Sequence, residues 1–291
     1  MKISKAIIFF SIAVALLAAI YASVGLFWQD DGAPYTFTTL HGETVEIYGQ
    51  GIYRNDAAFR APIFRGTDAI TLFVCVPALL IAAFLYGRGS LRGGILLTSM
   101  LAYFIYNAAS LALGAAYNEL LLVYIASFSI SLFAFIMAFT SIDLHMLAKH
   151  TAPTLAHRAI AVFLFIAGMS LLVWIMDIVV ALTQNSIPAQ LGPYTTEATY
   201  TLDLGIILPT AYLAGVLVWR RSPLGTLLAA IVITLNVSIG LVVASQSIMQ
   251  ALDGIFLTAG GYAAYVAPFV TLSLIAIGLI SNIHRSIIEE K

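Results

Sequence analysis

Eight long runs of apolar residues dominate the sequence, and they constrain the fold more than any other feature. They lie near residues 6–27, 68–87, 94–116, 120–140, 159–183, 203–219, 226–247 and 260–282. An α-helix of about 20 apolar residues crosses the ~30 Å hydrocarbon core of a bilayer. The sequence therefore predicts an all-α integral membrane protein, a bundle of eight transmembrane helices that forms a single transmembrane domain over residues 1–291.

The composition excludes several other classes of protein. Hydrophobic residues make up 61% of the chain and charged residues only 9%, whereas soluble domains average about 25% charged residues. The lipid bilayer is the predicted partner, and a net charge of -1 gives no reason to expect a nucleic-acid partner. The single cysteine, Cys75, rules out an intramolecular disulfide and a cysteine-based metal cage.

The distribution of positive charge predicts the orientation of the helices. If the N-terminus is cytoplasmic, ten of the 13 lysines and arginines fall in cytoplasmic segments, as the positive-inside rule requires. We therefore predict a multi-pass protein of a prokaryotic cell membrane, with both termini cytoplasmic. The start of the chain, up to Lys5, could also begin a signal peptide, but the apolar run continues to about Phe27 and favours an uncleaved first helix. Cleavage would leave seven helices.

The two halves of the chain share a pattern of landmarks. Asp68 and Asp203 open corresponding runs, Pro77 and Pro209 interrupt them, and short basic turns end them. Four helices per half would make a parallel 4+4 tandem repeat, an arrangement found in some transporters. Chance is the alternative, because helix ends favour Arg, Ser and Gly. Asn107 and Asn236 do not align between the two halves.

The longest polar segment, residues 28–67, is predicted to form a small extracytoplasmic cap. Residues 36–40 and 43–48 alternate as strands do, around His41-Gly42, and predict a β-hairpin. Two interpretations of the arginines of this loop stay open. They could form internal ion pairs with its acids, or they could line an outer vestibule that attracts anions. The arginines are Arg54, Arg60 and Arg65.

Four short motifs carry a family resemblance. They are Gly-x-Gly-x-Tyr-Arg-x-Asp at 49–56, Arg-Gly-Thr-Asp at 65–68, Gly-Ser-Leu-Arg-Gly at 89–93 and Ala-Tyr-Asn-Glu at 116–119. With them the chain resembles an uncharacterised family of prokaryotic multi-pass membrane proteins. The resemblance implies a shared fold and carries no known activity, so it assigns no functional residue.

Polar residues inside the predicted spans are the candidate binding residues, because ionisable groups there are costly and commonly functional. Asp177, inside the fifth run, is the clearest candidate for a proton or cation site, although it could instead be a structural acid. Asn107 and Asn236 lie near the middle of their runs and could bind a solute or join helices by hydrogen bonds. Glu119 and Asp203 complete the predicted ion- or substrate-binding set. For Asp68 and Asp203, capping of a helix N-terminus is an alternative role.

Three functions are consistent with these sequence features. A transporter of an ion or small solute fits the repeat and the polar residues of the spans best. A non-catalytic sensor or assembly module would use the cap, and a membrane-embedded lipid or isoprenoid enzyme would cluster acids such as Asp177, Glu119 and Asp203. The sequence predicts no metal site and no cofactor, since it has no zinc signature, P-loop or Cys-x-x-Cys pair. Enzymatic activity is therefore the less favoured class, and the oligomeric state is left open.

Overall fold

The computed structural model describes residues 3–188 and 190–289, and this part of the chain is mostly helical. Eight of its helices are long and apolar enough to cross a membrane, which fits a multi-pass membrane protein. A further short helix, Leu144–His150, lies between the fourth and fifth of them. In chain order the helices are α1 (Lys5–Phe27), α2 (Ala61–Gly87), α3 (Leu91–Gly114), α4 (Leu121–Ser141), α5 (Leu144–His150), α6 (His157–Gln184), α7 (Ala198–Trp219), α8 (Pro223–Leu252) and α9 (Ala259–Ser286).

The segment 28–60, between α1 and α2, contains the predicted hairpin; we name it the cap. Strands β1 (Tyr35–Thr38) and β2 (Thr44–Ile47) pair antiparallel, with Tyr35 opposite Ile47 and Thr38 opposite Thr44. Gly42 turns the chain between them with a φ of 83°, a conformation that glycine adopts without strain. The hairpin prediction is confirmed. We call the end of the bundle that carries the cap the cap side.

Two helices begin earlier than their apolar runs indicate. Helix α2 starts at Ala61 and α7 at Ala198, so Asp68 and Asp203 lie inside helices rather than at their first residues. Capping is therefore the wrong interpretation of both carboxylates, and Glu197 caps α7 by accepting a hydrogen bond from the Thr199 N–H. The early turns escaped prediction because polar residues, Arg65 to Thr67 in α2 and Thr199 to Thr201 in α7, separate them from the apolar runs that follow.

Three of the long helices contain a π-helical stretch, and each stretch is followed by a proline. The stretches are Thr71–Cys75 in α2, Asp203–Ile207 in α7 and Tyr262–Val266 in α9, with Pro77, Pro209 and Pro268 two residues beyond. A proline ring crowds the carbonyl four residues earlier, and in all three helices that carbonyl belongs to the middle of the π stretch. The wider π turn relieves this clash and redirects the side chains that precede the proline.

The hairpins α2–α3 and α7–α8 match residue by residue. Their π stretches, prolines and turns are all separated by 132 residues. Both turns close with the same hydrogen bond, from the Ser90 N–H to the Leu85 carbonyl (3.2 Å) and from the Ser222 N–H to the Leu217 carbonyl (2.9 Å). The residue before each serine has a positive φ, as a helix C-terminus of this type requires.

The next residues of the two hairpins also correspond. A Cβ atom on Gly93 would lie 2.7 Å from the Leu85 carbonyl carbon, and one on Gly225 would lie 2.4 Å from that of Leu217. Both glycines therefore let the second helix of a hairpin pack closely on the end of the first. The two hairpins therefore have the same local backbone structure, although most of their side chains differ.

Two hydrophobic clusters divide the bundle into halves. The first is built mainly from α1–α4, together with cap residues such as Ile52 and Tyr53. The second is built mainly from α5–α9. Helix α8 packs against both α2 and α3 and so joins the halves. A space is left between the two halves on the cap side.

Candidate functional site

A partly open cavity of about 210 Å³ lies between the two halves, near the cap side. Its walls come from α2 and α3 of the first half and from α6–α9 of the second, with the end of the cap at its rim. Most of the lining is apolar and aromatic, with a few polar groups that converge on the space, which is the usual character of a ligand site.

Asp203 is the central charged group of this cavity. Its side chain is buried, and its two oxygens accept hydrogen bonds from the Tyr106 hydroxyl (2.9 Å) and the Trp174 indole N–H (2.8 Å). Both donors are neutral, and no lysine, arginine or histidine of the described segments pairs with it. Asp203 is the first residue of the π stretch of α7. The backbone geometry of this stretch sets the direction of its carboxylate.

Aromatic rings surround Trp174 on the second-half side of the cavity. The Trp174 ring centroid lies 5.3 Å from that of Tyr200, 6.1 Å from that of Tyr265 and 6.4 Å from that of Phe269. The last two rings are stacked on the indole. These rings and Tyr106 form an aromatic wall beside the Asp203 carboxylate.

Side-chain amides provide further polar groups. Gln246 donates to the Thr67 hydroxyl (2.9 Å), and this bond links α8 to α2. The Asn107 amide donates to the Tyr21 hydroxyl (2.9 Å) and the Thr71 hydroxyl (3.2 Å). Asn107 therefore lines the cavity and also joins α3 to α1 and α2, so its predicted roles as binding residue and as helix link are compatible.

A buried ion pair lies at the rim of the cavity. Arg60, from the end of the cap, bonds Glu197 at the start of α7, and their side chains are only 12% and 3% exposed. Arg60 also donates to the Gln190 carbonyl at 3.1 Å and lies 4.7 Å from the Tyr194 ring centroid. The pair fastens the cap to the second half.

The other two arginines of the predicted vestibule also pair with carboxylates. Arg54 bonds Glu119 in the turn between α3 and α4, and Arg65 lies 3.2 Å from Asp253 at the end of α8. The guanidinium of Arg54 lowers the pKa of Glu119 below its usual range. All three arginines therefore form ion pairs, and of the three only Arg60 lines the cavity.

The structure separates the other predicted site residues. Glu119 is exposed and lies outside the cavity lining. Asp177 does not line the cavity but accepts a hydrogen bond from the Tyr200 hydroxyl, which does. Asn236 lines a smaller space of about 20 Å³, next to Asp203 and further from the cap. Asp203, Asn107 and Asn236 thus line two neighbouring cavities. The Tyr200 side chain separates Asp177 from the larger of them.

Several site residues escaped the sequence analysis. Trp174 on α6 looks like an ordinary residue of an apolar run, and Tyr200 on α7 precedes the run of its helix. Glu197 lies in the polar segment between two apolar runs, where it looked like a loop residue. A usable signal was the presence of a tryptophan within a span, because its indole N–H needs a partner when it is buried.

Asp68 is a second buried carboxyl group of the spans, but it lies in the core of the first half. One of its oxygens accepts a hydrogen bond from the Tyr53 hydroxyl at 2.6 Å, and the other has no partner among the described residues. The hydroxyls of Tyr124 and Ser127, on α4, are also buried without such a partner. Asp68 lines neither of the two cavities described above.

Asp56, in the cap, is a buried carboxyl group that titrates near neutral pH. One oxygen accepts hydrogen bonds from the Ala116 N–H and the Tyr194 hydroxyl, both at 2.7 Å, and thereby ties the cap to both halves. The other oxygen is buried without a partner among the described residues. Burial raises the pKa of Asp56 to about 7, although these hydrogen bonds and Arg60 lower it.

Replacing Asp56 with asparagine is expected to stabilise the protein above pH 7. The unfolded chain loses the Asp56 proton near pH 4 and the folded chain near pH 7, so the wild type loses stability between these values. At about 1.4 kcal/mol per pKa unit the loss is at most ~4 kcal/mol. Asparagine keeps the accepting oxygen and cannot ionise. The difference in melting temperature between variant and wild type should therefore increase from pH 5 to pH 8, and a constant difference would contradict this assignment.

Comparisons with known proteins provide no relative. No protein-family model matches the chain, and neither the curated proteins nor the solved structures contain a significant match. The resemblance to a family of prokaryotic membrane proteins stays a prediction.

Proposed function

We propose that this protein is a multi-pass transporter of the cell membrane that carries a small solute or ion through the cavity between its two halves. One observation carries the proposal: a partly open cavity, placed between the halves, contains a buried carboxylate without a cationic partner among the described residues. Keeping such a group in a membrane span is costly, and groups of this kind mark substrate and ion pathways.

The matched hairpins support a parallel tandem repeat of two four-helix units. A shared spacing of 132 residues covers the π stretch, the proline, the turn and the close glycine contact. Chance placement of arginine, serine and glycine does not account for matching π stretches and glycine contacts. Transporters built from two repeats bind their substrates between them, and their helices are commonly broken at the site. Asp203 lies in the π-helical stretch of α7, where the regular helix geometry changes.

The competing functions fit the cavity less well. A sensor or assembly module would be expected to have a closely packed interior along its whole length. A lipid enzyme was expected to cluster Asp177, Glu119 and Asp203, but Glu119 lies in an exposed ion pair away from the cavity. We place the cap side outside the cell and both termini in the cytoplasm, since this orientation leaves most lysines and arginines in cytoplasmic segments.

Transport requires that the cavity open alternately to each side of the membrane, and thiol labelling tests this. In a Cys75→Ala background, single cysteines are placed at Ser247, which lines the main cavity, and at Asn236, which lines the smaller space. Proteoliposomes are then treated with a membrane-impermeant thiol reagent from one side at a time. We expect the cysteine at 247 to react from the cap side and the cysteine at 236 to react from the opposite side.

A lipid-facing position provides the control. Val162, which is 46% exposed on the apolar surface of α6, should give a cysteine that reacts at least tenfold more slowly from either side. Labelling at 236 from the cap side only, or from neither side, would overturn the transport proposal.

A further inference from the structure

The charges that line the cavity do not balance. Among the described residues, its ionisable carboxylates and bases are Asp203, Glu197 and Arg60. Arg60 and Glu197 neutralise each other in their ion pair at the rim. This leaves the Asp203 carboxylate as the one net charge of the site, so a ligand with a single positive charge complements it.

The hydrogen bonds to Asp203 hold its carboxylate in place without neutralising it. Each oxygen accepts one bond from a neutral donor, Tyr106 or Trp174. A carboxylate oxygen has two lone pairs, so each can accept a second hydrogen bond from an ammonium group. The carboxylate is thus oriented in advance and still able to bind a cation.

The aromatic wall indicates an organic cation rather than a metal ion. Trp174, Tyr200, Tyr265 and Phe269 line the same cavity as the carboxylate, and aromatic side chains around a site recognise ammonium groups by cation–π attraction. Hard metal ions instead need several oxygen ligands. The described residues contain no group of three or more His, Cys, Asp or Glu that could hold a metal.

The size of the cavity sets a limit on the ligand. The cavity has a volume of about 210 Å³. Pockets for drug-sized ligands usually have volumes of about 300–1,000 Å³. The ligand is therefore a small molecule with few apolar groups around its charge.

We infer that the solute bound in this cavity is a small organic ammonium ion, whose charge lies against Asp203 and whose alkyl groups contact the Trp174, Tyr200, Tyr265 and Phe269 rings. The inference rests on the transport proposal for its biological meaning, but the site itself can be tested by binding alone.

Trp174 is a built-in reporter for the binding test. The other two tryptophans, Trp28 and Trp219, are exposed on the surface, so a Trp28→Phe/Trp219→Phe variant leaves a single indole in the cavity. In lipid nanodiscs this protein is titrated with tetramethylammonium, choline and 2-phenylethylammonium. We expect a saturable change in fluorescence with at least one of them, and at least tenfold weaker binding of 3,3-dimethylbutan-1-ol, the neutral counterpart of choline.

Substitution of the carboxylate provides the second arm. Asp203→Asn should weaken ammonium binding by at least about 30-fold, because a buried charge loses its partner. Asp31→Asn, which removes an exposed carboxylate from the cap, should leave binding unchanged. If Asp203→Asn does not fold, Tyr265→Leu takes its place. This variant should weaken ammonium binding at least tenfold, because it removes one ring of the aromatic wall.

The outcomes separate the two proposals. Fluorescence that responds to none of the ammonium probes, or equally to the neutral alcohol, overturns the cation inference. Ammonium binding without ammonium uptake into proteoliposomes supports the site but contradicts transport. Uptake of a neutral or anionic solute, together with a silent ammonium titration, supports transport and overturns the cation inference.

Discussion

Replacing Gly66 with valine is expected to prevent assembly of a stable bundle. Gly66 lies where α2 of the first half crosses α8 of the second. A Cβ atom there would lie 2.5 Å from the Gln246 Cα and 2.6 Å from the Gln246 backbone nitrogen. Because these are main-chain atoms, relief requires movement of a whole helix rather than of one side chain. Overpacking in a core usually costs about 1–3 kcal/mol, and we expect this contact to exceed that range.

A glycine without close neighbours provides the control for this experiment. Gly205 is exposed, and a Cβ atom there would meet nothing within 4 Å, so Gly205→Val should behave like the wild type. Size-exclusion profiles and melting temperatures of the purified variants check the prediction. A Gly66→Val protein that is monodisperse and melts within a few degrees of the wild type would contradict the described contact between α2 and α8.

Replacing Arg60 with methionine is expected to destabilise the protein by about 3 kcal/mol or more. The substitution leaves the carboxylate of Glu197, which is only 3% exposed, without its cationic partner. Breaking one side of a buried ion pair costs about 3–5 kcal/mol, whereas replacing both sides with apolar groups is often close to neutral. The double variant Arg60→Met/Glu197→Met should therefore be more stable than Arg60→Met alone.

The exposed pair Arg54–Glu119 provides the matched control. Its side chains are 35% and 53% exposed, and surface ion pairs contribute about 0–1 kcal/mol. Arg54→Met should therefore lower the melting temperature much less than Arg60→Met does. Two outcomes would contradict this prediction: equal losses of melting temperature in the two single variants, or a double variant no more stable than Arg60→Met. Either would show that burial does not increase the contribution of the Arg60–Glu197 pair to stability.

The sequence by itself determined the eight long apolar helices and the cap hairpin. Apolar length and strand-like alternation are local properties, and each is set by residues that are neighbours in the chain. The eight helices and the pairing of β1 with β2 follow from them. The positions of Pro77 and Pro209 also indicated where α2 and α7 depart from regular α-helix, because the effect of a proline acts within one turn.

The membership of the site was decided only by the tertiary structure. Asp177 was the leading candidate because it lies deep within an apolar run, whereas Asp203 lies at the start of one. The polar first turn of α7 places Asp203 inside its helix, and packing of α3 and α6 supplies Tyr106 and Trp174. Such partners come from residues 97 and 29 positions away in the chain. No periodic pattern encodes those distances, because they depend on how whole helices pack against one another.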